Sequence, residues 1–282
     1  MDSSSLELSA GSQRIVLDPD LGGRATSWQV AGIELLHVQG THPVEHGMYA
    51  MAPWAGRLRG NRVAIANGDA ALPASYGPWA LHGTVLDRPA RVESVSRSAG
   101  LTQAVLVSDS HPQWPWPMSV RMLWTLEPDR LTTRIEVHAL AEPFPVTVGW
   151  HPWFRRRLEH AGSAADACLT IDAAAMLERD DAGLPAAVVD DIPTGPYDDA
   201  FLVPSGRARL EWPGIVAVDI ESDGRWFVVY DERAECVCLE PQSGPPDGLV
   251  GHPWHDLARA VPGAPLVQTV TWWIRGPQEG PG

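Results

Sequence analysis

Four places in the chain combine residue types that could move protons or hold a polar ligand. Gly149-Trp150-His151-Pro152-Trp153-Phe154 sets an imidazole among aromatics at the end of an expected strand. Pro152 restricts the residue before it to extended backbone, so His151 is held firmly. Cys236-Val237-Cys238-Leu239-Glu240-Pro241-Gln242 delivers a carboxylate at the end of an apolar strand, and Pro241 stiffens the chain just after it. A carboxylate and an imidazole are the pair that general acid–base chemistry uses most. Leu81-His82-Gly83 adds a second imidazole, and Tyr197-Asp198-Asp199-Ala200-Phe201 adds adjacent carboxylates. Taken singly, each has an ordinary reading: a packing histidine, a solvated strand-end glutamate, a turn, a solvated loop.

Two further patterns compete for attention. His42-Pro43-Val44-Glu45-His46 matches the literal H-x-x-E-H zinc pattern. That pattern needs a helix to bring both imidazoles to one face, and Pro43 and Gly47 oppose one, so no metal is expected there. Arg155-Arg156-Arg157 is a local basic run, expected to be a solvated loop with local ion pairs.

The elements that must position these groups read as β-strands. Gly and Pro number 26 each in 282 residues, and both are poor in helix interiors. Strands with period-two alternation are expected at Gln13–Leu17, Ala25–Val30, Ile33–His37, Arg91–Arg97, Thr102–Ser108, Ser119–Glu127 and Leu131–Ala139. Others are expected at Val146–Trp150, Cys168–Ile171, Ile215–Glu221, Trp226–Tyr230, Cys236–Leu239 and Leu266–Ile274. Val120, Met122, Trp124 and Leu126 fall on one face, and Glu127-Pro128-Asp129-Arg130 turns the chain into a hairpin. So many short strands suggest a sandwich or barrel. Short helices are expected at Ala173–Arg179 and His255–Ala260, a long surface loop at Asp180–Pro196, and a frayed tail at Gly276–Gly282. Strands continue on both sides of the loop, so one domain over 1–282 is expected.

Composition narrows the function. The formal net charge is −14, which opposes nucleic-acid and anionic-membrane binding, since both need a cationic surface. The chain has no Lys, which excludes Schiff-base and P-loop lysine chemistry. Three Cys make no disulfide framework, and Cys236 and Cys238, two apart in a strand, are expected as buried thiols on one face. The start, Met-Asp-Ser-Ser-Ser, carries no basic residue or apolar run, and no stretch approaches the roughly 18 apolar residues of a membrane span. A cytoplasmic protein, monomer or homodimer, is expected. Of the 13 Trp, Trp54, Trp79, Trp150, Trp153 and Trp226 lie beside the polar spots. Aromatic faces suit the apolar side of a sugar ring, and Arg, Asp and His suit its hydroxyl rim.

Five segments in order, Ala52-Pro53-Trp54-Ala55-Gly56-Arg57-Leu58, Leu81-His82-Gly83, His151-Pro152-Trp153-Phe154, Asp198-Asp199-Ala200-Phe201 and Leu239-Glu240-Pro241-Gln242, resemble the galactose mutarotase-like family, the aldose 1-epimerases and their hexose-phosphate relatives. The resemblance implies an all-β supersandwich with a few short helices, an open cleft and no cofactor or metal. Position by position, Glu240 resembles the general base and His151 the general acid. Arg57, His82 and Asp198 resemble sugar-binding residues, with Asp199 the less fitting of the two aspartates, and Trp153 and Gln242 join them at the site. Gly56 stands where the family often has Asn, and Trp153 where it often has Tyr. The implied activity is an isomerase interconverting α and β anomers of an aldohexose. Alternatives are a hexose-6-phosphate 1-epimerase, with Arg59 or Arg62 as phosphate candidates, a glycosidase pairing Glu240 with Asp198, and a non-catalytic carbohydrate-binding protein. On this reading Glu240 and His151 face each other across a sugar-sized hollow, and their mutual attraction favours the charged forms.

Overall fold

The computed structural model describes residues 5–276. Of the tail expected at Gly276–Gly282, all but Gly276 lies outside them. The short apolar segments pair edge to edge into two antiparallel sheets of eleven and eight strands. The larger runs Leu6–Ala10, Gln13–Asp18, Arg24–Val30, Met48–Met51, Gly149–Arg155, Cys236–Gln242, Trp226–Tyr230, Asp198–Leu202, Ala175–Arg179, Pro185–Val189, with Ile33–Glu34 paired beside Arg24–Val30. The smaller runs Cys168–Ile171, Arg207–Trp212, Val216–Ser222, Leu266–Arg275, Arg130–Ala139, Met118–Glu127, Leu101–Asp109, Arg91–Ser98. The expected hairpin closes with Glu127 opposite Arg130, and Val120, Met122, Trp124 and Leu126 are fully buried on one face. The result is an all-β supersandwich.

Alternation along each central strand divides the larger sheet into two working faces. Trp150 and Phe154, Val237 and Leu239, and Phe227 and Val229 join the main core with the smaller sheet. Trp150 meets Trp124 edge-on at 4.7 Å, and Phe154 lies 6.0 Å from Trp212 and 6.3 Å from Trp272. Trp153, Cys236 and Cys238 belong to a separate cluster on the other face, where the loops gather. The two thiols are buried together, as expected.

Both expected helices are absent. Ala173–Arg179 has strong helix formers, yet Ala175–Arg179 is a strand, because pairing with Asp198–Leu202 buries Met176 and Leu177 on opposite faces. His255–Ala260 is irregular until Arg259–Ala260 pairs with Phe144–Pro145. The helical turns among the described residues are three short 3₁₀ pieces, at Pro19–Leu21, Pro43–Glu45 and Arg59–Asn61. The Asp180–Pro196 loop contains the edge strand Pro185–Val189. The strand expected at Val146–Trp150 starts later, at Gly149, because Val146 and Thr147 bond to loop carbonyls of Ala258 and Pro53. Only Ile33–Glu34 of the expected Ile33–His37 strand forms.

Trp150 ties the site-bearing strand to the smaller sheet. Trp150→Ala is expected to lower the unfolding free energy in urea titrations by about 3–5 kcal/mol; a loss under 1 kcal/mol would mean the inter-sheet core does not hold this strand.

Candidate active site

Two rows of residues cross the loop-covered face of the larger sheet. In the first, Tyr49 is opposite His151, and Glu240, Val228, Ala200 and Leu177 follow on successive strands. In the second, Trp153, Cys238, Tyr230 and Asp198 lie opposite one another in turn. His151 and Glu240 sit on neighbouring strands, and His151 Nε2 lies 3.2 Å from Glu240 Oε1. Gln242, two residues on and on the same face, donates from Nε2 to Glu240 Oε2 at 3.2 Å. The pair lines an open cavity of about 870 Å³, its mouth included, together with Arg57, His82, Trp153, Asp198 and Gln242. Seven of the residues named from the sequence, Glu240, His151, Arg57, His82, Asp198, Trp153 and Gln242, therefore converge on one pocket, whereas Arg59, Arg62 and Asp199 do not line it.

The imidazole is fixed by stacking. Tyr49 stacks on His151 at 4.9 Å and Trp153 stacks on it at 5.1 Å. The guanidinium of Arg24 lies 5.0 Å from the centre of the Tyr49 ring, and that of Arg233 lies 5.2 Å from Trp153. Arg24 is fully buried and donates to the carbonyls of Leu21, Pro43, His46 and Leu86, which ties the surrounding loops to the sheet. His82 meets His151 edge-on at 5.0 Å. Its position follows from two loops laced together. His82 N donates to Gly56 O, Gly56 N donates to His82 Nδ1, and Ala52 bridges to Gly83. Gly56 has φ +77°, and a Cβ there would meet Pro246 at 2.7 Å, so the missing Asn of the family pattern has a steric reason.

Burial sets the protonation. It pushes the Glu240 carboxyl well above the usual carboxylate range, and the Asp198 carboxylate adds to the effect. Burial holds His151 well below the usual imidazole range, with His82 and Arg24 contributing. His82 is lowered to about 3 by burial and then by Arg57. Burial thus works on both groups against the charged pair expected from their types, since taking a charge out of water is costly. The two groups also touch, rather than facing each other across a hollow.

Arg57 Nη2 bonds Asp198 Oδ2 at 3.1 Å, and Arg179 Nη1 bonds the same oxygen at 2.8 Å. Arg179 Nε takes Asp199 Oδ1 at 2.8 Å, so of the two aspartates Asp198 faces the pocket and Asp199 braces it. Arg179, Tyr230, Arg233 and Tyr76 line the pocket without having been marked by any motif. Of the five tryptophans beside polar spots, Trp153 lines it; Trp54 and Trp150 are core.

The zinc-like His42–His46 segment is engaged elsewhere. Glu45 accepts from Thr41, Tyr76 and Arg233, and His46 Nδ1 faces the His42 carbonyl. In the basic run, Arg157 pairs with Asp166 and Glu159, while Arg155 and Arg156 donate to backbone carbonyls. His151, Cys238 and Glu240 have donor atoms within 4.8 Å of one another; these are the contacting imidazole and carboxyl and a buried thiol.

A twin-sheet β-supersandwich of this shape is shared with solved structures of galactose mutarotase-like proteins. Residues 4–264 match the family model for aldose 1-epimerase, and the chain belongs to that family, which is a family of isomerases. A galactose mutarotase-like protein from Clostridium acetobutylicum is similar at a TM-score of 0.83 and 14% identity, covering 96% of this chain and 95% of that one. Galactose 1-epimerase from Lactobacillus acidophilus NCFM is similar at 0.77 and 16%, covering 97% and 94%. The GalM/aldose epimerase homologue from C. elegans is similar at 0.76 and 14%, covering 98% and 100%. No curated protein sequence matches the chain significantly.

His82 is kept neutral in the fold. Its unfolded form gains a proton near pH 6.5, whereas the folded form resists until about 3. Its contribution to stability is therefore complete above pH 6.5 and is lost as pH falls from there toward 3. His82→Asn retains an acceptor for Gly56 N–H and tolerates the φ of +59°. Between pH 7.5 and 4.5 the wild type should lose about 2 kcal/mol more unfolding free energy than this variant. Parallel curves would show that His82 is not neutral in the folded protein.

Proposed function

We propose that the protein is an aldose 1-epimerase that interconverts the α and β anomers of an unphosphorylated aldohexose through Glu240 and His151. The observation that carries the reading is the buried 3.2 Å contact between these two side chains in the pocket wall. Both oxygens that must exchange protons, the anomeric hydroxyl and the ring oxygen, are bonded to C1, so two adjacent groups suit them better than two distant ones. A shift of the shared proton from Oε1 to Nε2 produces carboxylate and imidazolium. Glu240 then takes the anomeric proton while His151 delivers one to the ring oxygen. The C1–ring-oxygen bond breaks with its electrons going to oxygen, and the C1 carbonyl forms. Rotation about C1–C2 presents the other carbonyl face, and the same transfers in reverse close the ring. The pair ends with the protons it began with, and no other group enters the cycle.

The pocket charges favour an unphosphorylated sugar. Arg57, Arg179 and Arg233, its lining arginines, each pair with a carboxylate: Asp198, Asp198 with Asp199, and Glu45. A phosphate dianion would therefore add negative charge to a pocket whose guanidiniums are already matched by carboxylates. Arg59 pairs with Asp180 and Asp247, and Arg62 is exposed on the Arg62–Ile65 ribbon; neither lines the pocket. A binder without catalysis would have no use for a buried acid–base pair, whose desolvation is costly. Asp198, held by two arginines, is a poor partner for Glu240 in glycoside cleavage, where one carboxyl must be a free acid or nucleophile. A cytoplasmic setting and a monomer or homodimer complete the proposal. All three thiols are free, and no helix among the described residues is long and apolar enough to cross a membrane.

Polarimetry of freshly dissolved α-D-glucose and α-D-galactose tests it. The wild type should speed mutarotation of at least one. Glu240→Gln mimics the protonated carboxyl and should fold, yet should lose about 10²–10⁴-fold in kcat, and His151→Asn a comparable factor. Full activity in Glu240→Gln would remove the carboxyl from the mechanism, and activity on the 6-phosphate alone would favour the phosphorylated substrate.

A further inference from the structure

The strand that sequence propensity reads as a helix ends on Arg179, and that guanidinium forms part of the pocket wall. It bonds Asp198 Oδ2 and Asp199 Oδ1, both at 2.8 Å, while Arg57 reaches the same Asp198 oxygen from a loop across the pocket. Two guanidiniums on one carboxylate oxygen fix the Asp198 side chain. Among the described residues, Asp198 Oδ1 and Arg179 Nη2 make no protein hydrogen bond. An ionic acceptor and an ionic donor thus remain on adjoining residues of the pocket wall. A hydroxyl group needs that combination, since it donates one proton and accepts at its oxygen.

Register places this pair relative to the chemistry. Glu240 is opposite Val228, Val228 is opposite Ala200, and Asp198 is two residues from Ala200 on the same strand. Two strand spacings across and two residues along separate the Cα atoms of Glu240 and Asp198 by roughly 12 Å. Both side chains rise from the same face of the sheet into the pocket, so their polar ends keep a separation on the order of 10 Å, which admits a pyranose ring with a hydrogen bond at each end. A sugar with C1 at the Glu240–His151 pair therefore brings its far edge, C3 and C4, to Arg179 and Asp198.

We propose that Arg179 is a substrate-binding, specificity-determining residue, which with Asp198 reads the hydroxyls at C3 and C4 of the sugar; the assignment rests on the epimerase reading above. Arg179 Nη2 donates to a hydroxyl oxygen, and that hydroxyl donates to Asp198 Oδ1. A sugar lacking the hydroxyl leaves charged groups unpaired, which is the arrangement that discriminates most strongly.

The test crosses protein variants with deoxy sugars. Mutarotation rates are measured for wild type, Arg179→Lys and Arg179→Met on glucose, 3-deoxyglucose and 4-deoxyglucose, with thermal unfolding of each protein alongside. On glucose, Arg179→Met should reduce kcat/KM by about 10- to 100-fold, chiefly through KM. Arg179→Lys, which keeps the charge but not the fork, should fall between. On the deoxy sugar that lacks the contacted hydroxyl, the penalty of Arg179→Met should shrink below about 3-fold. An unchanged kcat/KM on glucose would overturn the proposal. So would an equal penalty on all three sugars, which marks Arg179 as a structural strut. A wild type inactive on every sugar would instead overturn the epimerase reading, a result the variant comparison cannot produce.

Discussion

The buried contact between His151 and Glu240 constrains everything around it. Two titratable groups taken out of water together are costly to hold unless each has a partner and neither is left charged alone. Burial drives both groups toward their neutral forms, and a single proton between them meets that condition. Gln242 donates to the second carboxyl oxygen, and the Tyr49 and Trp153 rings stack on the imidazole. In the proposed cycle a pair that is neutral at rest is also chemically flexible, because one proton shift converts it to carboxylate and imidazolium without changing the net charge of the pocket.

Strand register gives the pair its precision. His151, Glu240, Val228, Ala200 and Leu177 succeed one another on neighbouring strands, so the spacing of the sheet sets the spacing of the site. The inward residues of those same strands, Trp150, Leu239 and Phe227, are fixed by the inter-sheet core. A slip of one residue would send Glu240 into the core and Leu239 into the pocket. Packing on one face thereby becomes positioning on the other. Loops complete the site from above, and the buried Arg24 ties several of them to the sheet through backbone carbonyls.

How much of this was legible in the sequence depended on whether a residue's role was local. The Met118–Ala139 hairpin alternates cleanly because one of its faces meets solvent, and it reads correctly. Met48–Met51 is buried on both faces, shows no alternation and escapes notice. Ala175–Arg179 carries helix propensity that long-range pairing overrides, which hid both the strand and Arg179. His151 and Glu240 stood out because a proline follows each, although both lie inside strands, Gly149–Arg155 and Cys236–Gln242, that run past the ends expected for them. Tyr49 and Arg24, as necessary to the imidazole, come from distant segments and have no local signature. The pull of burial on the pair was hidden for the same reason: attraction between two groups can be guessed from their types, whereas the depth at which they are buried cannot.

The proton inventory of the pair can be observed directly. NMR of protein labelled with ¹⁵N in histidine and ¹³C in glutamate reports the His151 ring nitrogens and the Glu240 carboxyl carbon at pH 7. The account predicts a neutral imidazole and a protonated carboxyl. An imidazolium facing an ionised carboxylate at rest would contradict it.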